Sequence, residues 1–231
     1  MDHALSLSRR FFKGHGHGND YLVFEEGCGW PVSSETVAAV CQRWRGVGGD
    51  GIVALLAGEG PFGQRKRGDP FRLRMFNPDG TEFERSGNGL RVLGSYLYGR
   101  GRVRKGDPFP VEVGGEVVEM EILAQEEGGG VNVAVDMGRV RFGVGAVGGE
   151  EGGLDEGRFL SGPDGERLDV QPVSVGNPHC VALRGELLEE DLLALGPFLT
   201  AHPVFPRGIN VQLARVKNEG EVEILIWERG V

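Results

Sequence analysis

The segment Ser86-Gly87-Asn88-Gly89 has the residue types of an anion site at the start of a helix. The two glycines let backbone N–H groups come close to a ligand, and the N-terminal end of a helix carries about half a positive charge. A carboxylate, or a carbanion-like oxygen that develops from one, is favoured in such a place. Ser is also a common N-cap residue, so capping alone explains Ser86 at least as well.

A second polar cluster, Gly176-Asn177-Pro178-His179-Cys180, lies between two predicted strands. A tight turn there would direct the Asn177 amide and the His179 ring into a cleft. Histidine ionises near neutral pH and can tune a neighbouring acid or base. The alternative is an ordinary Asn-Pro turn beside a buried Cys180, because free cysteine is commonly buried.

Two glycine-rich loops precede predicted strands in the first half of the chain. In the first, from Gly14 to Asp20, His15 and His17 have no acidic or histidine partner nearby, so an ordinary loop is favoured over a metal site. Asn19 is the better candidate in this loop, because its amide both donates and accepts hydrogen bonds. The second, from Gly46 to Gly51, lacks the Lys-Ser/Thr pair of a phosphate-binding loop and is predicted to be a structural turn.

These polar segments need helices and strands to position them. The pattern from Asn88 to Tyr98 predicts a helix with Leu90, Leu93 and Leu97 on one face. The acidic, glycine-rich stretch from Gln125 to Gly130 predicts a boundary between domains 1–126 and 127–231. The other predicted elements are helices at 36–44 and 187–195, a buried strand at 52–56, a half-buried strand at 71–76, a turn at 77–80 and a loop region at 143–165.

Composition excludes several classes of protein. The 231 residues carry 25 Lys and Arg against 34 Asp and Glu, a net charge of −9, and no basic stripe, which argues against a nucleic-acid partner. The short basic stretch Arg65-Lys66-Arg67 is predicted to be a solvated loop. No run approaches about 18 apolar residues, so no membrane span is expected. Three cysteines without CxxC spacing argue against disulfides and zinc, and predict a cytoplasmic protein.

Taken in order, the polar segments resemble those of one family, the diaminopimelate epimerases. The resemblance runs from about Phe12 to the last residue and rests on seven ordered motifs. These are Gly18-Asn19-Asp20, Gly46-Val47-Gly48-Gly49-Asp50-Gly51, Phe76-Asn77-Pro78-Asp79-Gly80, Gly87-Asn88-Gly89-Leu90-Arg91, Gly176-Asn177-Pro178-His179, Asn210-Val211 and Glu228-Arg229-Gly230.

The resemblance implies an α+β fold of two similar domains, each a mixed β-sheet curled into a barrel around a central helix. The helix from Asn88 to Tyr98 would be the central helix of the first domain, and the substrate would lie in the cleft between the domains. Proteins of this fold often form dimers, so a homodimer is expected.

The resemblance also implies the reaction, which inverts one α-carbon of a diamino diacid and converts LL-diaminopimelate to the meso form in lysine and peptidoglycan precursor biosynthesis. One cysteine thiolate removes the α-proton and a second thiol returns one on the other face, without pyridoxal phosphate or any other cofactor or metal. By position, the residues that resemble substrate-holding groups are Asn19, Asn77, Gly87, Asn88, Asn177, Asn210, Glu228 and Arg229. His179 and Glu228 match positions that tune the two thiols.

This sequence departs from the family pattern in two places. Ser86 stands where the family has its first catalytic cysteine, and a hydroxyl is far less acidic than a thiol, so Ser86 would need an adjacent strong base. The printed sequence reaches Val231 before the family's second cysteine and the central helix of the second domain. We therefore expect impaired catalysis and a poorly closed second domain; Cys180 is not expected to substitute, because its neighbours match a non-catalytic position.

Two other hypotheses stay open at this point. The second hypothesis is that the protein is a non-catalytic homologue that binds a small amino acid or diacid. A third hypothesis is another isomerase with a carboxylate base, which predicts that Glu82 or Glu84 faces the cleft.

Overall fold

The computed structural model describes residues 5–58, 65–66, 68–150 and 152–229. The chain divides into two compact units, the first ending at Met137 and the second beginning at Gly138. Each unit has its own sheet and its own buried apolar cluster. The fold is therefore mixed α+β with two sheets and, among the described residues, three α-helices.

Among its described residues, the first unit contains nine strands and two helices. The strands are β1 Ser6–Gly16, β2 Asn19–Glu26, β3 Trp30–Pro31, β4 Gly51–Leu55, β5 Phe71–Phe76, β6 Glu82–Phe83, β7 Phe109–Val113, β8 Glu116–Gln125 and β9 Val131–Val135; the helices are α1 Ser34–Cys41 and α2 Gly87–Gly99. The sheet order is β3-β1-β2-β4-β5-β7-β8-β9, with β6 added to β5. The pairs β2–β4 and β5–β7 are parallel and the others antiparallel.

The two helices cover opposite faces of this sheet. The predicted stripe of α2 is confirmed, since Leu90, Leu93 and Leu97 are fully buried in the larger apolar cluster. On the other face, Val37 and Cys41 of α1 pack with Leu22 and other side chains of β2 and β4. Strand β4 is buried along its whole length, as expected for a strand between two helices.

The expected barrel closure is not seen. Within the described residues the path of the first sheet ends at β3 and β9, which do not pair with each other. The sheet nevertheless curves around α2. The helix contacts β1 and β2 near one end of the strand order, and β8 and β9 at the other end. Gly94 permits the close approach of α2 to β9, because a Cβ there would stand 2.9 Å from Val133 Cγ1. Strand β9, assigned to the second half by the sequence analysis, thus pairs with β8 in the first sheet.

In the part of the second unit that the structure describes there are a six-stranded sheet and one α-helix. Its elements are β10 Arg141–Phe142, a 3₁₀ turn Val144–Val147, β11 Phe159–Ser161, β12 Arg167–Ser174, β13 Pro178–Leu183, α3 Glu189–Thr200, β14 Asn210–Asn218 and β15 Glu221–Trp227. The sheet order is β10-β12-β13-β14-β15, with β11 paired to β12. Leu195 and Leu199 of α3 are buried in its apolar cluster.

The two units repeat one connection. In each, a helix joins two neighbouring parallel strands, β2–α1–β4 in the first unit and β13–α3–β14 in the second. In the second sheet, alternate apolar side chains stay about half exposed, at 63% for Val216, 56% for Val222 and 50% for Ile224. No described helix covers them as α2 covers the first sheet.

The largest differences from the predicted elements concern two helix ends and one loop region. The first helix ends at Cys41 instead of Trp44, because Gln42 is extended and its side-chain Oε1 accepts the N–H groups of Trp44 and Arg45 in a turn. The third helix continues through Pro197 to Thr200 instead of ending at Leu195. The predicted loop region at 143–165 contains the 3₁₀ turn and β11.

Candidate active site

Strand register brings the amides of Asn19 and Asn77 to one edge of the first sheet. β2 and β4 run parallel and begin together, with Tyr21 paired to Gly51. β5 runs antiparallel to β4 and ends there, with Phe76 paired to Ile52. Asn19 begins β2 and Asn77 follows β5, so both lie at the same edge.

Helix α2 begins at this edge with unpaired N–H groups. Ser86 is its N-cap, and its Oγ accepts the N–H of Gly89 at 3.2 Å. The first bond along the helix runs from Leu90 N to Ser86 O at 2.9 Å. No described group accepts the N–H of Gly87 or Asn88, so two donors and the positive end of the helix dipole lie at the place where the sequence analysis expects an anion site.

The side chain of Asn88 is held in one orientation beside these donors. Its Nδ2 donates to Asn19 Oδ1 at 3.4 Å, and its Oδ1 accepts from Arg91 Nη1 at 3.1 Å. Gly16 lies directly against it, since a Cβ on Gly16 would stand 3.0 Å from Asn88 Oδ1. Two of the predicted substrate-binding amides are therefore in contact.

Sequence reasoning missed the role of Asp50, which fixes the Asn19 amide from the other side. Asp50 Oδ2 accepts from Asn19 Nδ2 at 3.1 Å and from the Asp20 N–H at 3.0 Å. The loop that contains Asp50 was interpreted only as a structural turn. The signal was present, because a lone Asp inside a glycine loop is suited to accept hydrogen bonds from a neighbouring segment.

A cluster of charges supports Asp50. Arg43 Nη2 lies 2.6 Å from Asp50 Oδ1 and 2.7 Å from Asp20 Oδ1, and Lys13 Nζ lies 2.9 Å from Asp20 Oδ2. Burial by itself would raise the pKa of Asp20, but the hydrogen bonds from Arg43 and Lys13 outweigh it and hold that pKa well below its usual range. Asp20 therefore stays ionised and holds the start of β2 in place.

Asn77 lies in a tight turn that leaves part of its amide available. Its Nδ2 donates to Thr81 Oγ1 at 2.9 Å, and its backbone N–H donates to Thr81 O at 2.8 Å. Asp79 closes the turn by accepting from the Thr81 N–H at 2.8 Å. Gly80 is required here, because its φ is +84° and a Cβ would stand 2.3 Å from Ser34 Cα.

Ser86 has no base beside it among the described residues. Its hydroxyl oxygen accepts from Gly89, its N–H points at Met75 Sδ at 3.3 Å, and no described side chain accepts from the hydroxyl. Glu82, one of the carboxylates considered as a base, forms an ion pair with Arg74 at 2.6 Å. The N-cap role of Ser86 is confirmed by this geometry.

In the second unit, strand register gathers the other predicted residues at one edge of the second sheet. β13 and β14 run parallel, with His179 paired to Asn210. β15 returns antiparallel and ends there, with Trp227 paired to Val211, so Glu228 and Arg229 follow at the same edge. Asn177 immediately precedes β13.

His179 is held as a neutral base. Its Nδ1 lies 3.3 Å from Gln212 Oε1. Because an amide oxygen only accepts, Nδ1 carries the proton and Nε2 keeps its lone pair. Burial lowers the pKa of His179, the charge of Arg229 lowers it further, and the bond to Gln212 opposes both. Sequence reasoning missed Gln212, although the alternation of β14 places it on the same face as Asn210.

The two asparagines of the second unit have different environments. Asn210 Oδ1 accepts the backbone N–H of Arg229 at 2.9 Å, and Arg229 Nη1 donates to Arg207 O at 2.8 Å. Asn177 Oδ1 is buried and has no hydrogen-bond partner in the described structure. A buried amide oxygen without a partner costs free energy, so Asn177 is the residue here that most needs a donor from a ligand.

The two buried thiols, Cys41 and Cys180, are poorly suited to proton transfer. Burial raises the pKa of Cys180 to about 12 and that of Cys41 to about 11. Cys180 has no accessible surface, and its side chain is packed in the apolar cluster of the second unit. Its place in the core supports the expectation that Cys180 does not substitute for a catalytic thiol.

Comparison with known proteins agrees with the ordered motifs. The family model of diaminopimelate epimerase matches residues 11–143. The chain belongs to the diaminopimelate epimerase family. It is 37% identical over 225 residues to diaminopimelate epimerase 2 of Nostoc sp. strain PCC 7120, covering 96% of this chain and 74% of that protein. It is 38% identical over 232 residues to the diaminopimelate epimerase of Desulforudis audaxviator, covering 96% and 76%.

The fold of this family member also resembles that of a solved epimerase. The hydroxyproline epimerase of Agrobacterium vitis, with bound trans-4-hydroxy-L-proline, superposes with a TM-score of 0.61 at 16% identity, over 94% of this chain and 69% of that one. At this level of identity the likeness concerns the fold alone. No described helix of the chain is long and apolar enough to cross a membrane.

Proposed function

We propose that the chain is a diaminopimelate epimerase that interconverts the LL and meso isomers without pyridoxal phosphate. The observation that carries this is the start of α2, where the N–H groups of Gly87 and Asn88 are unpaired beside the Asn19–Asn88 amide contact. A reacting carboxylate placed there meets two donors and the positive end of a helix. Negative charge that develops on that carboxylate during loss of the α-proton is stabilised more than the ground state is.

The neighbouring side chains would select an amino acid. Asn19 is fixed by Asp50, so its Oδ1 faces the Asn88 side of the site and is available to an ammonium group as well. Asn77 keeps Oδ1 available at the same edge. An amide oxygen accepts a hydrogen bond from the α-ammonium group of an amino acid. A simple carboxylic acid has no such donor when ionised, so Asn19 and Asn77 would favour amino acids over simple acids.

Taken by themselves, the residues gathered at one edge of the second sheet suit the ammonium and carboxylate groups of a diamino diacid. Asn177 Oδ1, buried without a partner, is suited to an ammonium donor. Arg229 is suited to a carboxylate, and Asn210 orders its backbone. His179, neutral with a free Nε2 lone pair, and Glu228 are the proposed tuning groups.

We also propose that Ser86 limits the rate. It occupies the place of the family's first cysteine, and no described base activates it. A thiol has a pKa near about 8.5, which the end of a helix lowers further, whereas a serine hydroxyl without a base stays protonated at neutral pH. The chain is therefore expected to bind diaminopimelate well and to transfer its α-proton slowly.

The test is exchange of the α-proton of LL-diaminopimelate in deuterium oxide, followed by proton NMR. Slow exchange is expected for the native chain and faster exchange for Ser86→Cys. Ser86→Asn is the matched control, because Asn caps a helix as well as Ser but has no hydroxyl. Equal exchange by Ser86→Asn and Ser86→Cys would contradict the assignment of proton transfer to this position.

One observation favours a second candidate function, a non-catalytic protein that binds an amino acid or diacid. The Ser86 hydroxyl already accepts the Gly89 N–H as a helix cap and has no described acceptor of its own. Tight binding of diaminopimelate, with no exchange by the native chain or by Ser86→Cys, would support this candidate. A cytoplasmic location and a homodimer stay predictions.

A further inference from the structure

The first unit contains a cavity at the opposite end of β5 from Asn77. Its volume is about 520 Å³, and its wall includes Leu56, Pro70 and Phe71. Phe71 begins β5 and Asn77 follows its end, so about six residues at ~3.3 Å each place the cavity roughly 20 Å from the candidate active site. The cavity is large enough for a small organic molecule.

Positive charge predominates in the wall of this cavity. Its basic side chains are Arg65, Lys66, Arg72 and Arg102, whereas its acidic ones are Asp69 and Glu112. The local excess of two positive charges contrasts with the net charge of −9 of the whole chain. An anion is therefore attracted to this part of an otherwise acidic protein.

Several of these charges are already neutralised. Arg72 Nε lies 3.7 Å from Glu112 Oε1, and Arg102 Nη1 lies 2.7 Å from Glu25 Oε1. Asp69 Oδ2 accepts the backbone N–H of Lys66 at 3.0 Å. Glu112 is thus paired with Arg72, whereas Asp69 accepts a neutral N–H group and keeps its negative charge near Arg65.

No carboxylate of the described residues forms an ion pair with Arg65, although the charge of Asp69 acts on it through space. Its guanidinium lies 3.7 Å from the centre of the Phe71 ring, and Nη1 donates to Lys66 O at 3.0 Å. Its Nε is buried and has no hydrogen-bond partner. Burial lowers the pKa of Arg65 and the charge of Arg102 lowers it further, whereas the charge of Asp69 partly opposes them. A buried guanidinium donor without an acceptor is costly, and an oxyanion supplies both the charge and the acceptor.

From this geometry we propose that the cavity is a second binding site, which takes a small organic oxyanion. Its phosphate or carboxylate group pairs with Arg65 and faces Lys66 and Arg102. Its carbon body lies on the apolar wall formed by Leu56 and Pro70. The stretch Arg65-Lys66-Arg67 is predicted to be a solvated loop, but Arg65 Nε is buried, and Arg67 lies outside the described residues.

Isothermal titration calorimetry with three probes tests this proposal. Phenyl phosphate and phenylacetate share an aromatic body and differ in the anionic group, while benzyl alcohol has the same body without charge. We expect saturable binding of at least one anion, with the tighter one identifying the preferred group, and at least tenfold weaker binding of benzyl alcohol. Anions that bind no better than benzyl alcohol would overturn the proposal.

Variants locate the binding. Arg65→Gln should weaken binding of the preferred anion at least tenfold, whereas Arg215→Gln, which removes an exposed charge in β14 of the second unit, should leave it unchanged. Gly87→Ala should also leave it unchanged, which separates this cavity from the candidate active site. Equal affinity of Arg65→Gln and Arg215→Gln refutes the site. If Arg65→Gln fails to fold by circular dichroism, Arg102→Gln gives the same comparison.

Discussion

Replacing Gly87 by Ala is expected to stabilise the fold and weaken substrate binding at the same time. Gly87 is the first residue of α2, and a Cβ added there would meet only Arg91 Nη1, at the ordinary contact distance of 3.7 Å. Gly in a helix is less favourable than Ala by roughly 0.5–1 kcal/mol, so the free energy of unfolding should rise by up to about that amount.

The added methyl group stands beside the two N–H donors that are proposed to hold the reacting carboxylate. It would keep the ligand from the close approach that a short hydrogen bond needs. A hydrogen bond to a charged group contributes about 1.5–3 kcal/mol, and each ~1.4 kcal/mol is tenfold in affinity. We therefore expect LL-diaminopimelate to bind about 10- to 150-fold more weakly.

Gly99→Ala is the matched control for this prediction. Gly99 ends the same helix, and an added Cβ meets no atom within 4 Å, so its stability gain should be similar and its binding unchanged. Urea unfolding gives the stability of both variants and isothermal titration calorimetry gives their affinity. If Gly87→Ala binds LL-diaminopimelate as tightly as Gly99→Ala does, the start of α2 is not the carboxylate site.

Three further predictions follow from other contacts. Asp50→Ala removes the acceptor that fixes Asn19 and should weaken LL-diaminopimelate binding about tenfold by calorimetry; unchanged affinity would contradict that role. Burial lowers the pKa of His179, so the unfolded chain binds more protons than the folded chain as pH falls through about 6.5. The free energy of unfolding should therefore fall between pH 7.5 and 5. Urea unfolding of His179→Gln should show a shallower decline with pH, and an unchanged slope would refute this. Leu93 is buried in the core, so Leu93→Ala should lower the free energy of unfolding by about 2–5 kcal/mol. Leu193 is 66% exposed, so Leu193→Ala should change it by less than about 0.5 kcal/mol. Equal losses in urea unfolding would contradict the packing of α2.

Local sequence patterns predicted most of the elements that carry the candidate site. The stripe of Leu90, Leu93 and Leu97 predicted α2, because side chains three and four residues apart share one face of a helix. The Ser-Gly-Asn-Gly segment before it predicted the capped start of that helix, because glycine and a capping residue determine the backbone there. These signals act over a few residues, so the sequence alone is sufficient to find them.

Element ends were less predictable where side chains compete with the backbone. Gln42 ends α1 by accepting two N–H groups in a turn, which no helical periodicity reveals. Strand β9 lies in the first unit because it pairs with β8, although the acidic glycine stretch before it suggested a boundary. Pairing between strands distant in sequence is a tertiary property, and composition does not report it.

The sequence by itself determined the order of the polar motifs, and with it the family and the identity of Asn19, Asn88, Asn177 and His179 as candidates. Only the tertiary structure decided which of them meet, because the register of β2 against β4 and the approach of α2 depend on packing over many residues. It also decided that Asp50 holds Asn19 and that Arg65 Nε lies buried without a partner. Burial and hydrogen-bond partners are set by distant residues that fold together, so they follow from the fold and not from local sequence.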